Sequence, residues 1–124
     1  MGRTGTKVSE VSFGGIPIQT VPRSQVLAVV QRALDLGMNF VDTARAYTTS
    51  ECIIGEIIKG FRSKCMIAAK TLARTADDVE KDLRTSLSEL RTTGVDLCQL
   101  HNVNSEETGH HSAATIFCDD NVRE

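Results

Sequence analysis

Four side chains stand where catalysis by proton transfer would need them: Asp42, Tyr47, Lys70 and His101. Three of them close short apolar runs. Asn39-Phe-Val-Asp42 ends on a carboxylate, Cys65-Met-Ile-Ala-Ala-Lys70 on an amine and Val95-Asp-Leu-Cys-Gln-Leu-His101 on an imidazole. Tyr47 follows Asp42 in a stretch suited to a loop. Parallel strands lying side by side in a βα sheet bring their C-terminal ends to one rim, so groups remote in sequence converge there. Such a gathering suits carbonyl reduction. Hydride arriving at carbon leaves negative charge on oxygen, and a proton donor must be aimed at that atom. The Tyr47 phenol fits that role. An adjacent ammonium, Lys70, favours the phenolate left behind, and Asp42 would hold the lysine charged and oriented. His101 would direct the substrate oxygen by a hydrogen bond and help move the proton. Taken singly, each residue has a plainer reading: Asp42 with Lys70 as a structural ion pair, Tyr47 as a loop aromatic, His101 as a hydrogen-bonded strand end.

The elements that must position these groups follow from periodicity. Gly5 suits a turn, with residues 7–11 pairing back as a small hairpin. Val11-Ser-Phe-Gly-Gly15 is the expected first strand, and Gly14 and Gly15 leave room for a flat ligand or a close backbone, or simply make a tight turn. Ser24 is placed to cap a first helix with Val26, Leu27, Val30, Ala33 and Leu34 at helical spacing, and Gly37 to end it. Residues 38–42 form the next strand. Ser50 is expected to cap a second helix striped by Ile53, Ile54, Ile57 and Ile58 and ended by Gly60. Residues 65–69 form a strand, Thr75-Ala-Asp-Asp78 has capping-box spacing, and Val79, Leu83, Leu87 and Leu90 stripe the third helix. Residues 95–100 form the last strand. This alternation predicts an all-parallel sheet. Beyond Val103 no apolar stripe continues, so residues 1–104 are expected as one βα unit and residues 105–124 as a coil or frayed tail.

Composition narrows the function class. The 124 residues, 40% hydrophobic and 24% charged with a formal net charge of −2, are ordinary for a globular domain and leave no basic footprint for nucleic acid. No apolar run approaches the roughly 20 residues that span a bilayer, and the N-terminal Met1-Gly-Arg-Thr-Gly-Thr-Lys7 has no apolar core like a secretion signal, so membrane insertion is not expected and the cytoplasm is the expected location. Cys52, Cys65, Cys98 and Cys118 make no Cys-x-x-Cys pair and read as free thiols. His110, His111 and Cys118 lie in the tail without fixed geometry, so no metal site is expected. A Gly-x-Gly-x-x-Gly dinucleotide fingerprint does not occur.

Phe13-Gly-Gly, the run Asp42-Thr-Ala-Arg-Ala-Tyr47 with Ser50-Glu51 after it, Lys70-Thr71, and Asp96-Leu-Cys-Gln-Leu-His101-Asn102 together resemble the N-terminal half of an aldo-keto reductase, over residues 1–104. The runs Phe13-Gly-Gly-Ile-Pro-Ile18 and Gln99-Leu-His-Asn-Val103 are most similar to bacterial and archaeal members with an added C-terminal iron-sulfur domain, although the cysteine motif of that domain is absent here. The resemblance implies an α/β fold, the N-terminal half of a (β/α)8 TIM barrel with a hairpin plugging its base and truncation after the fourth strand, since a full barrel takes about 250 residues. It also implies Asp42, Tyr47, Lys70 and His101 as the catalytic tetrad, NADP(H) as cofactor, and cofactor contacts from Gly14, Gly15 and Asn102, the last to the nicotinamide carboxamide. The substrate would be a small-molecule carbonyl. Family members hold the cofactor phosphates with loops late in the chain, after strands seven and eight, so the alternative is a non-catalytic interaction or assembly module. Exposed edges on the first and fourth strands would favour self-association. Arg45, Glu51 and Gln99 read as packing or solvated positions.

Overall fold

The computed structural model describes residues 5–104. Four strands alternate with three helices: β1 (Phe13–Gly14), α1 (Arg23–Asp35), β2 (Phe40–Asp42), α2 (Ser50–Ile58), β3 (Met66–Thr71), α3 (Ala76–Glu89) and β4 (Leu97–Leu100). Short 3-10 turns occupy Pro17–Thr20 and Arg62–Lys64. The sheet order is β1-β2-β3-β4 with every pair parallel, as helical crossovers require. This is the N-terminal part of a (β/α)8 barrel pattern, as expected from the sequence.

Helix ends show which local signals acted. Ser24 lies inside α1 and does not cap it; Pro22 holds the cap position with φ −53°, and its fixed ring geometry starts the helix without a side-chain bond. At the other end Gly37 takes φ +88°, its N–H donates to the Leu34 carbonyl at 2.9 Å, and the Met38 N–H donates to Ala33 at 3.1 Å. That paired closure needs a residue free to adopt a left-handed backbone. Val26 and Val30 are buried and Leu34 packs on the core, but Leu27 is exposed, so the apolar stripe of α1 is narrower than its sequence suggested. Ser50 likewise does not cap α2, because Thr49 holds that position and the Ser50 hydroxyl turns to Thr43 instead. The stripe of α2 behaves as expected, with Ile54, Ile57 and Ile58 buried and Ile53 against them. Thr75 caps α3, accepting the Asp78 N–H at 3.3 Å and donating to its carboxylate at 2.8 Å.

Alternation along the strands divides the sheet into two faces. Val41, Ile67, Ala69 and Cys98 meet Val26, Val30, Ile54, Ile58 and Leu90 of the helices in the main core. The helices approach closely enough that a Cβ on Gly55 of α2 would come within 2.4 Å of the Glu89 carbonyl of α3. The other face carries Asp42, Ala68 and Leu97 in one cross-strand row and Lys70 with Gln99 in the next. Cys65 and Cys98 are buried and not disulfide-bonded, and burial pushes the Cys65 thiol up to about 11 despite the nearby Arg62 guanidinium.

Only one arm of the expected hairpin falls among the described residues. Residues 7–11 are tied to the loop before β2: Ser9 N–H donates to the Asn39 side-chain oxygen at 2.7 Å, and Asn39 donates back to Ser9 Oγ at 3.1 Å and to the Lys7 carbonyl at 3.1 Å. The other arm falls in residues 1–4, outside the described residues, as does the tail 105–124 with His110, His111 and Cys118. Among the described residues no helix is long and apolar enough to cross a membrane.

Candidate active site

The C-terminal ends of β2, β3 and β4 deliver Asp42, Lys70 and His101 to one rim. Lys70 Nζ donates to Asp42 Oδ2 at 2.5 Å and to the Thr43 carbonyl at 2.9 Å, with the lysine side chain 15% exposed. Two directed acceptors of this kind fix an otherwise flexible amine. Lys70 Nζ also lies 5.3 Å from the centroid of the Tyr47 ring. The Tyr47 and His101 rings meet edge to face, with centroids 5.5 Å apart and planes at 85°. All four sequence-derived candidates for the tetrad therefore come together.

The backbone explains how a loop residue joins three strand ends. The β2–β3 pairing continues past the strand, with Thr43 N–H to Ala68 O at 2.8 Å and Arg45 N–H to Lys70 O at 2.9 Å. The chain then turns: Tyr47 N–H donates to the Ala44 carbonyl at 3.0 Å, and Ser50 N–H to the Tyr47 carbonyl at 2.6 Å. Thr48 has φ +25°, an unfavourable value for a β-branched residue, and its hydroxyl bonds the Gln19 side chain. On β4 the His101 N–H donates to the Thr71 carbonyl at 2.8 Å. Asn102 follows in the left-handed region at φ +53°, a conformation asparagine tolerates. Arg74, from the β3–α3 loop, donates to the His101 carbonyl at 2.8 Å.

Electrostatics select the form of His101. Burial lowers its basicity first, and the positive charges of Lys70 and then Arg74 add to this against the opposing Asp42 carboxylate. The imidazole is thus held neutral at neutral pH. Its Nδ1 is buried without a hydrogen-bond partner.

The glycine pair divides. A Cβ on Gly15 would come within 2.4 Å of Ser50 Oγ and 2.9 Å of the Asp42 carbonyl, which already accepts the Gly15 N–H at 2.7 Å. Close backbone approach therefore accounts for Gly15. Around Gly14 nothing lies within 4 Å of such a Cβ.

The sequence left Arg45 and Glu51 as packing or solvated positions. Glu51 is buried, its carboxylate accepting from Ser86 Oγ at 2.7 Å and pairing with the Arg45 guanidinium. A signal was present: Glu51, Ile54, Gly55 and Ile58 share one helix face at spacings of three, four and seven, so the glutamate had to point inward with them.

Residues 10–118 match the aldo/keto reductase family. L-galactose dehydrogenase of Arabidopsis thaliana is 33% identical over 118 residues, taking in 83% of this chain and 37% of that protein. A Pseudomonas aeruginosa protein described as an aldo-keto reductase superposes with a TM-score of 0.79 at 28% identity, over 86% of this chain and 46% of that one. A Klebsiella pneumoniae aldo-keto reductase solved with NADPH superposes with a TM-score of 0.71 at 24% identity, over 76% of this chain and 35% of that one, a likeness of fold alone. The chain spans less than half the length of each of these relatives. It is an α/β chain of the barrel class. It belongs to the aldo/keto reductase family.

Proposed function

We propose that this rim reduces a small-molecule aldehyde or ketone with NADP(H), Tyr47 giving the proton. The observation that carries the proposal is the placement of one amine: Lys70 Nζ sits 2.5 Å from the Asp42 carboxylate and 5.3 Å from the ring of the only tyrosine in the chain. As charge builds on the carbonyl oxygen, the Tyr47 O–H bond breaks towards it. The phenolate left behind would be stabilised by the Lys70 ammonium, which lies 5.3 Å from the ring centroid and which Asp42 and the Thr43 carbonyl hold in position. His101, neutral, acts as a hydrogen-bond donor to the same oxygen. Its Nδ1 is enclosed, so we assign the substrate contact to Nε2.

The residues present fit a flat nicotinamide ring. The space beside Gly14 is open, and Asn102, held next to His101 in a left-handed backbone, is our candidate for its carboxamide. Gly15 would contribute by letting β1 close on Asp42. When bound, NADP(H) supplies the hydride. Family membership and the fold shared with an NADPH-bound relative support this cofactor.

We assign residues 1–104 to the barrel unit, with the family match running on to residue 118, and a cytoplasmic setting suits the chemistry. Kinship with members that carry an iron-sulfur domain rests on the runs around Phe13 and His101 alone. A second reading, a non-catalytic module that self-associates or assembles with another chain, is favoured by one observation. Val11, Ile16 and Val29 are 74%, 56% and 57% exposed near the open β1 edge, beside an apolar cavity of about 230 Å³ lined by Phe13, Ile18, Val21 and Val26.

The test is an NADPH titration read by cofactor fluorescence, paired with NADPH oxidation against an aldehyde and ketone panel in the parent and in Tyr47→Phe. Saturable binding in both, with turnover only in the parent, is expected. Equal turnover in the variant would overturn the role of Tyr47. A defined oligomer that binds no NADPH would favour the second reading.

A further inference from the structure

Among the described residues Glu51 is the only acidic or basic side chain that is buried, with 2% of it exposed. Both carboxylate oxygens are used. One accepts from Ser86 Oγ of α3 at 2.7 Å, and the other pairs with Arg45 Nη1, whose side chain is 26% exposed. Arg45 lies two residues before Tyr47, and its backbone N–H donates to the Lys70 carbonyl at 2.9 Å. A continuous set of directed contacts therefore runs from α3 through α2 into the loop that carries the phenol, and from that loop to the residue that carries the amine.

Buried ion pairs are a poor source of stability, because desolvation offsets most of their attraction. Stability alone therefore does not explain a charged pair in this place. A second feature of the same loop points to its use. Thr48, immediately after Tyr47, is held at φ +25°, and backbone in such a region persists only where the surroundings over-determine it. Around Tyr47 the Thr48 hydroxyl bonds the Gln19 side chain, the Ser50 N–H returns to the Tyr47 carbonyl, the Thr43 and Ser50 hydroxyls meet at 3.0 Å, and the Arg45–Glu51 pair ties down the residues just before the ring.

We propose that Arg45, Glu51 and Ser86 form a clamp that sets the Tyr47 ring against Lys70, which makes Glu51 a positioning residue for the phenol. Its catalytic consequence rests on Tyr47 being the proton donor; the placement of the ring does not. Because the chain has one tyrosine and no tryptophan, every aromatic emission signal above phenylalanine comes from this ring. Glu51→Gln keeps the side-chain size and an acceptor for Ser86 while removing the charge that holds Arg45.

The experiment compares parent, Glu51→Gln and the double variant Arg45→Gln/Glu51→Gln by tyrosine emission anisotropy and the near-ultraviolet circular dichroism band of tyrosine, with far-ultraviolet circular dichroism to verify the fold. The clamp predicts variants that keep their secondary structure but lose the fixed tyrosine band and show anisotropy falling towards that of an unrestrained side chain. Turnover should fall with KM little changed, and Glu51→Asp should restore part of the band. The double variant leaves no charge buried, so it reads the same contact should the single variant not fold. A folded variant with the parent's tyrosine signals overturns the clamp. Lost signals together with full turnover in Tyr47→Phe would leave the clamp standing and remove the proton-donor reading, so the two failures are separable.

Discussion

Gly15→Ala decides whether the space beside the first strand belongs to the chain or to a ligand. The new Cβ would lie 2.4 Å from Ser50 Oγ and 2.9 Å from the Asp42 carbonyl oxygen, against an ordinary contact distance of about 3.5 Å or more. Ser50 can turn away only by giving up its 3.0 Å bond to Thr43, a loss of about 1 kcal/mol. The Asp42 oxygen is backbone and can move only by widening the β1–β2 pairing, where it accepts the Gly15 N–H. Overpacking of this kind costs about 1–3 kcal/mol, so the whole is about 2–4 kcal/mol. For a domain of this size that lowers Tm by roughly 10–25 °C. Thermal unfolding followed by circular dichroism measures it, with Gly14→Ala as the comparison, since a Cβ there meets nothing within 4 Å. A Gly15→Ala chain that melts like the parent, yet loses NADPH affinity, would refute the packing account and give the space to the cofactor.

His101 is less basic folded than unfolded, through burial first and Lys70 second, so the unfolded chain takes up the proton sooner; stability should hold above about 6.5 and decline as pH falls below it, and His101→Asn should flatten that slope in denaturant titrations across the same window. Arg91 sits just past the end of α3 with φ +53°, where its N–H and that of Thr92 close on Ser88 and Leu87; Arg91→Gly should raise stability by about 0.5–1 kcal/mol in chemical denaturation, despite losing an exposed contact to Glu56.

The sequence made the parallel order of the sheet legible because each strand-like run was separated by an amphipathic helix, and a crossover of that kind permits few other arrangements. It made the gathering of the candidate residues legible because Asp42, Lys70 and His101 each stand at a strand end, so their convergence is a property of topology rather than of side-chain detail. Helix starts were less legible. Ser24 and Ser50 are good cap residues by type, but Pro22 presets the entry to α1, and the Ser50 hydroxyl is taken by Thr43. Cap propensity is local, and a tertiary partner outweighed it. The sequence around Gly5 suggested a local hairpin but gave no sign that the side chain of Asn39, some thirty positions away, bonds Ser9 and Lys7. Glu51 was missed for a related reason. Its type left packing and solvent both open, and only its phase within the isoleucine stripe of α2 indicated burial.

Stopped-flow or steady-state NADPH oxidation by Tyr47→Phe, with cofactor affinity measured on the same preparation, tests the central claim most directly. The account predicts a fall in carbonyl reduction of about 10²–10⁴-fold, the usual contribution of a positioned general acid, with NADPH affinity essentially unchanged. Turnover equal to that of the parent would contradict it, because the geometry around Lys70 would then have been assembled for something other than that proton.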